Sequence, residues 1–248
     1  MTLDARRLEE LSLNSSAPPG QLLYDGWLLR MLPGKAKRPR SVNAVYPSTL
    51  PLEAKIAHCE RLYGAVRLPT LFRITPFCHP GGLDAELERR GYGRFDTTAV
   101  ESAAIDPDSG STTGAMVMNL RAWVEAVGEL RGSSPEHRAS HLARLEGMPL
   151  PVRGVAVESA GRVVATGLTI VEDDSAGLFD IVTREDARRQ GHARTVVAAL
   201  LRAAHEHGAR NAYLQVDSRN DSARRLYRQF GFVERYEYWY RGRDGERQ

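Results

Sequence analysis

Between Arg188 and Arg194 the chain reads RRQGHAR: an arginine, a glycine three residues on, and a small residue two further along. The segment lies where an apolar, strand-like run, Leu178–Val182, gives way to the apolar-periodic stretch Thr195–His207, so the glycine falls at the start of a helix. The first turn of a helix has backbone amides without intrahelical partners and a partial positive charge, and small residues there let an anion approach the backbone closely. Arg188, Arg189, Gln190, Gly191, His192, Ala193 and Arg194 are therefore a candidate cradle for a phosphate or pyrophosphate. His192, in the variable slot, reads as a surface loop residue.

One helix and one strand later comes Asn220–Tyr227 (NDSARRLY), followed by Gly231 and Phe232. Tyr227 lies two helical turns beyond Asn220 and shares its face. In combination, the cradle and this second motif resemble the GNAT (GCN5-related) N-acetyltransferase family, through motifs over Leu178–Trp239 and through element order over the rest of the second half. The resemblance implies an α/β (α+β) chain with the GNAT acyl-CoA N-acyltransferase fold, a mixed and mostly antiparallel sheet flanked by helices. It also implies acetyl-CoA as co-substrate and no metal. The backbone of Ile181, Val182 and Thr183 would pair with the pantetheine arm, the 188–194 loop would hold the pyrophosphate, and Asn220 would meet the pantetheine or a water beside it. Tyr227 would act as general acid toward the leaving thiolate. Two departures from the family pattern stand out: Glu185 sits where a proline is common, and Ala193 replaces the commoner glycine.

An alkylamine of pKa ~10 is about 99.9% protonated at neutral pH, so some group or water chain must take its proton before it can attack. Asp180, Glu158 and Glu172 are candidates that no motif ranks. The two cysteines, Cys59 and Cys78, fall in the first half of the chain and leave no covalent nucleophile near the site. The expected activity is transfer of an acetyl group to a primary amine, small-molecule or peptide, by direct attack in a ternary complex. The alternative is a non-enzymatic acyl-CoA-binding sensor or scaffold.

The elements that would position these groups read as two helices, Leu120–Leu130 and Glu136–Leu145, the latter with Ser134 and Pro135 as N-cap and first residue. A hairpin follows, Val152–Glu158 and Val163–Val171 about Ala160-Gly161, then a strand at Leu178–Val182 and a helix over Thr195–His207 closed by Gly208. Tyr213–Val216 is a strand, Ser222–Phe230 a helix, and Phe232–Tyr240 a last aromatic strand, able to pair within the chain or across a homodimer.

In the first half, a strand at Val42–Tyr46, a helix at Leu52–Tyr63 ended by Gly64, a strand at Leu71–Ile74 and the stretch Leu83–Tyr92 repeat part of this order. Matching Gly91 to Gly231 puts Pro80 at the position of Asn220 and Leu87 at that of Tyr227, so this copy lacks a cofactor site. The expected organisation is a tail at 1–19, a degenerate GNAT-like domain at 20–105, a linker at 106–113 and a catalytic domain at 114–248, two GNAT-like domains in tandem.

A length of 248 residues suits two small domains, and 42% apolar with 26% charged residues is a globular balance. No apolar run approaches membrane-spanning length and no signal peptide is legible, which points to a cytoplasmic protein without a membrane partner. A net charge of +3 spread among acidic residues, without aromatic interleaving, argues against nucleic acid. The Lys35–Arg40 run reads as a solvated basic turn.

Overall fold

The computed structural model describes residues 4–34 and 36–245, so Lys35 of the basic turn and the two chain ends lie outside the described residues. In chain order the elements are α1 (Ala5–Asn14), β1 (Gln21–Tyr24), β2 (Trp27–Arg30), β3 (Val42–Asn43), α2 (Leu52–Ala65), β4 (Phe72–Ile74), α3 (Leu83–Arg89), β5 (Gly93–Ala104) and β6 (Ala115–Met118). They continue with α4 (Leu120–Arg131), α5 (Pro135–Glu146), β7 (Val152–Ser159), β8 (Arg162–Glu172), β9 (Ser175–Thr183), α6 (His192–Glu206), β10 (Asn211–Asp217), α7 (Asp221–Arg228) and β11 (Val233–Gly242).

The chain divides into two compact units, and its division departs from the expected boundaries. One unit comprises the residues up to Ser15, Glu101–Val216 and Asn220–Glu234; the other comprises Ser16–Val100, Asp217–Arg219 and the residues from Arg235. Two of the crossings fall inside β5 and β11 and none falls within 106–113, so that stretch is not the link between units, and the last strand beyond Glu234 does not belong with the cradle. The N-terminal segment is a helix rather than a tail. Leu8, Leu11 and Leu13 of α1 are buried, while Arg7 Nη2 and Asn14 Nδ2 each donate to Glu172 at 3.1 Å.

In the first unit β6, β7, β8 and β9 run antiparallel in succession, and β10 joins β9 in parallel. The β7–β8 turn is the two-residue hairpin read from Ala160-Gly161, with φ of 51° and 72°, the left-handed pair such a turn needs. Strand β6 was not foreseen, and β9 begins at Ser175, three residues earlier than the apolar run suggests. Helix α5 starts at the cap read from the sequence, Ser134 Oγ accepting from His137 N–H at 3.4 Å, and α4 has a cap that was not foreseen, Asn119 Oδ1 accepting from Ala122 N–H at 2.9 Å. Their apolar stripes bury Trp123, Val124, Val127, Leu142 and Leu145 against Leu168 and Ile170 of β8, with Phe179 and Val182 of β9 at the rim. Trp123 fits because Gly154 has no side chain: a Cβ there would come within 2.4 Å of the indole.

In the second unit β1, β2 and β3 are antiparallel, β3 pairs β4 in parallel, and β11 pairs β4 antiparallel through Trp239–Arg241. The aromatic last strand thus finds its partner within the chain. Helix α2 runs through Gly64 to Ala65 instead of ending there, and the strand expected over Val42–Tyr46 shrinks to two residues. A core of Trp27, Ile56, Tyr63, Phe72, Leu83 and Tyr92 fills the unit. Within it the buried Lys55 ammonium donates to Asp25 Oδ2 at 3.0 Å and Ser48 Oγ at 2.6 Å and sits 4.2 Å above the Trp27 ring.

Candidate active site

The β9–β10 ladder runs from Ser175/Asn211 to Leu178/Leu214 and stops, although β9 continues to Thr183 and β10 to Asp217. From Phe179 onward, β9 therefore keeps β8 on one edge and turns the other away from β10's ladder. Ile181, Val182 and Thr183, the residues expected to pair with an extended ligand, occupy this stretch, half-buried and at the sheet edge. Opposite them on β8 the register slips, with Thr166 facing Val182 and Leu168 facing Phe179. Gly167 alone thus faces both Asp180 and Ile181, a β-bulge in which Asp180 takes a φ of 50°. The Thr166 hydroxyl donates to the Asp180 carbonyl at 3.5 Å, pinning the kink.

After β9 a 3-10 turn at Glu185–Ala187 leads into the cradle. Arg189 (φ 63°) and Gly191 (φ 86°) are both left-handed, and Gly191 is the N-cap of α6. The helix opens with Thr195 N–H donating to Gly191 C=O at 3.1 Å, so the amides of His192, Ala193 and Arg194 lie ahead of this bond, and no side chain caps this end. The space a Cβ on Gly191 would enter is open to 4 Å. The helix end is pressed to the sheet because Gly167 lacks a side chain: a Cβ there would come within 2.6 Å of Val196 and 2.7 Å of Leu200.

Around the helix end Arg188 lies 3.9 Å from Glu185, and Arg194 Nη1 donates to Gln229 Oε1 at 3.2 Å, all exposed contacts that a stronger anion can replace. Gln190 Nε2 reaches the Asp186 carbonyl at 3.5 Å. His192 is less superficial than its loop position suggested: its Nε2, like Arg184 Nε, is buried without a hydrogen-bond partner. An uncapped helix end, open space over a left-handed glycine and two orphaned buried nitrogens fit a pyrophosphate.

Asn220 is the N-cap of α7, its Oδ1 accepting from Ala223 N–H at 3.1 Å, so this oxygen is committed to the helix start. Tyr227, on the last turn of α7, is buried, its ring 6.0 Å from that of Phe232. Burial, with Glu101 adding, pushes its phenol up to about 12. The hydroxyl is thus protonated at neutral pH, the state a proton donor needs. The buried Glu101 carboxylate itself is held by Arg224 at 2.8 Å, whose other nitrogen reaches Glu234 at 2.6 Å.

The three candidate bases separate clearly. Glu172 is tied to Arg7 and Asn14 beside the β8–β9 turn, and Glu158 is exposed near the β7–β8 turn. Asp180 alone stands at the bulge where β9 leaves β10. Two residues that sequence reasoning did not single out converge on it: Arg131 Nη2 lies 2.8 Å from Oδ1, and His141 Nε2 lies 3.4 Å from Oδ2. The signal for His141 was its place beside Leu142 and Leu145 on the buried face of α5. Among the described residues no cluster of three or more His, Cys, Asp or Glu is arranged to hold a metal, and no helix is long and apolar enough to cross a membrane.

The acetyltransferase (GNAT) family matches residues 119–232, the stretch that holds the cradle, the bulge and Tyr227. A Bacillus subtilis (strain 168) protein described as the uncharacterized N-acetyltransferase YobR is 29% identical over 246 residues, 96% of this chain and 98% of that one. Among solved structures, a GCN5-related N-acetyltransferase from Kribbella flavida is similar with a TM-score of 0.70 at 19% identity, over 99% of this chain and 97% of its own. A tandem GNAT protein from the clavulanic acid biosynthesis pathway gives a TM-score of 0.56 at 16% identity, over 76% and 68%. At these identities the likeness to solved structures is one of fold.

Proposed function

Because residues 119–232 match the GNAT acetyltransferase family, we propose that this chain is a member of it and transfers the acetyl group of acetyl-CoA to a primary amine by direct attack within a ternary complex. The observation that carries this reading is the pairing of two features: a β9 edge released from β10 and, beginning at Gly191 further along the same chain segment, a helix end whose amides have no side-chain cap. An extended arm ending in a pyrophosphate needs such a pair. The amides of His192, Ala193 and Arg194 with the Arg188, Arg189 and Arg194 guanidiniums would hold the pyrophosphate, while the backbone of Ile181, Val182 and Thr183 would line the arm.

Within this reading the second motif supplies the proton. Tyr227, neutral and buried, donates to the sulfur as the thioester breaks and is reprotonated as the amine nitrogen is acylated. The second unit, with no counterpart of the cradle, serves as a degenerate GNAT-like domain that does not bind CoA. A spectrophotometric assay of free thiol, with acetyl-CoA and kanamycin, spermidine, phenylalanine or a trialanine peptide as acceptor, tests the activity. Amine-dependent thiol release supports the transferase. Acetyl-CoA binding without release on any acceptor favours the sensor reading instead.

A further inference from the structure

The search for a proton acceptor leads past the carboxylate that the sequence offered. Asp180 is placed for the role by position, yet its Oδ1 is engaged with Arg131 at 2.8 Å, while Oδ2 lies 3.4 Å from His141 Nε2, a buried nitrogen with no hydrogen-bond partner. The oxygen that faces the guanidinium is taken up by that partner rather than left for a substrate. His141 is better suited. Its ring is held on two sides, edge-on to Trp123 with centroids 5.8 Å apart and against Asp180, while its side chain keeps 21% exposure, enough for a substrate to reach it. The Trp123 indole is itself fixed by donating to the Val155 carbonyl at 3.2 Å.

From this geometry we infer that His141 is the base that takes the proton of the acceptor amine, with Asp180 orienting its ring and Arg131 holding Asp180 in place; the inference rests on the transferase reading above. A carboxylate facing Nε2 favours the tautomer that carries hydrogen there, which leaves the lone pair on Nδ1 for the substrate. Nδ1 accepts one proton from the ammonium, and the free amine forms the C–N bond as the C–S bond breaks. The second amine proton, relayed through Tyr227, goes to the thiolate, and His141 returns the first to solvent, so one proton is released per turnover.

The charges around the ring agree with a base that is neutral at rest. Burial pushes the imidazole below its ordinary value, Asp180 on β9 opposes that, and Arg144 on α5 and Arg131 on α4 add to the lowering. A residue of this kind works as a base through neutral pH without first losing a proton of its own.

The test uses the full chain in two measurements. Nitrogen-detected titration of the imidazoles, without acetyl-CoA, should show His141 as the Nε2–H tautomer titrating below free histidine, and Asp180→Asn should move it lower still. Then kcat/KM against pH on the best acceptor of the four-amine panel should show a plateau between the His141 titration and that of the amine. His141→Gln should lose on the order of 100-fold at neutral pH, with the plateau replaced by a climb of about tenfold per pH unit up to the amine's own pKa, and should keep acetyl-CoA affinity. Asp180→Asn should retain a plateau with its acid limb moved to lower pH. A plateau that survives in His141→Gln and vanishes in Asp180→Asn overturns the inference and makes the carboxylate the base, as does an Nδ1–H tautomer. Failure of the wild type to acetylate any acceptor while binding acetyl-CoA overturns the transferase reading and this one with it.

Discussion

Gly167 of β8 stands opposite Asp180 and Ile181 of β9, at the bulge where β9 parts from β10. Its missing Cβ seats Val196 and Leu200 of α6 against the sheet, so this one glycine sets the height of the helix that carries the candidate cradle. Gly167→Val should therefore destabilise the protein by about 1–3 kcal/mol in urea denaturation, as overpacked cores do. It should also weaken acetyl-CoA binding, since α6 must lift to make room. A variant of unchanged stability would mean that α6 does not rest on this position.

Gly191 separates backbone strain from blockage. Its φ of 86° is left-handed, and a Cβ would meet nothing within 4 Å, so Gly191→Ala should fold with a penalty of about 1–2 kcal/mol, read as a lower Tm. Acetyl-CoA affinity should fall in parallel, because the alanine methyl would stand in the open space over the cradle.

Tyr227→Phe removes one hydroxyl from a buried ring whose packing on Phe232 remains. Steady-state kinetics should show kcat reduced by about 100-fold with the KM for acetyl-CoA unchanged, the signature of an interaction made only as the thiolate leaves. Unaltered kcat would assign the proton to a water.

Acid should unfasten the second unit through Asp25. Its carboxylate accepts from the Leu50 and Thr49 amides, the Thr49 hydroxyl and the Lys55 ammonium, which hold it well below the usual carboxylate range. A carboxylate with a depressed folded pKa contributes stability that is present above its unfolded value, roughly 3.9, and is lost as pH falls below it toward the folded one. The Tm gap between wild type and Asp25→Ala should accordingly be full at pH ~7 and begin to close only below pH ~4. A gap independent of pH would place the effect of Asp25 in its left-handed backbone, φ 43°, rather than in its charge.

Local chemistry made the helix starts around the candidate cradle readable in the sequence. A glycine at the start of α6 and the Ser134–Pro135 cap of α5 leave marks within a few residues of where they act, whereas the capping role of Asn220 emerges only in the structure. Contacts made only on folding leave no such mark. His141 and Asp180 are distant in the chain and meet because α5 packs over the sheet beside the bulge, which itself shows in the sequence as one glycine among apolar residues. The N-terminal helix looked like a tail because its three buried leucines acquire their meaning only by docking. The Pro-, Gly- and Ser-rich stretch after Ile105 has a linker's composition, yet it is held in the first unit: Arg202 donates to the Pro107 carbonyl at 3.4 Å and to the Thr112 hydroxyl at 3.3 Å. Two of the crossings lie inside β5 and β11, where a strand's sequence gives no sign that its two ends belong to different units.

Isothermal titration of the full chain with acetyl-CoA, beside Gly191→Glu, tests the central claim most directly. The account predicts micromolar binding by the wild type and none by the variant, whose carboxylate would occupy the cradle and repel the pyrophosphate. Absence of binding by the wild type, or equal binding by both, would contradict it.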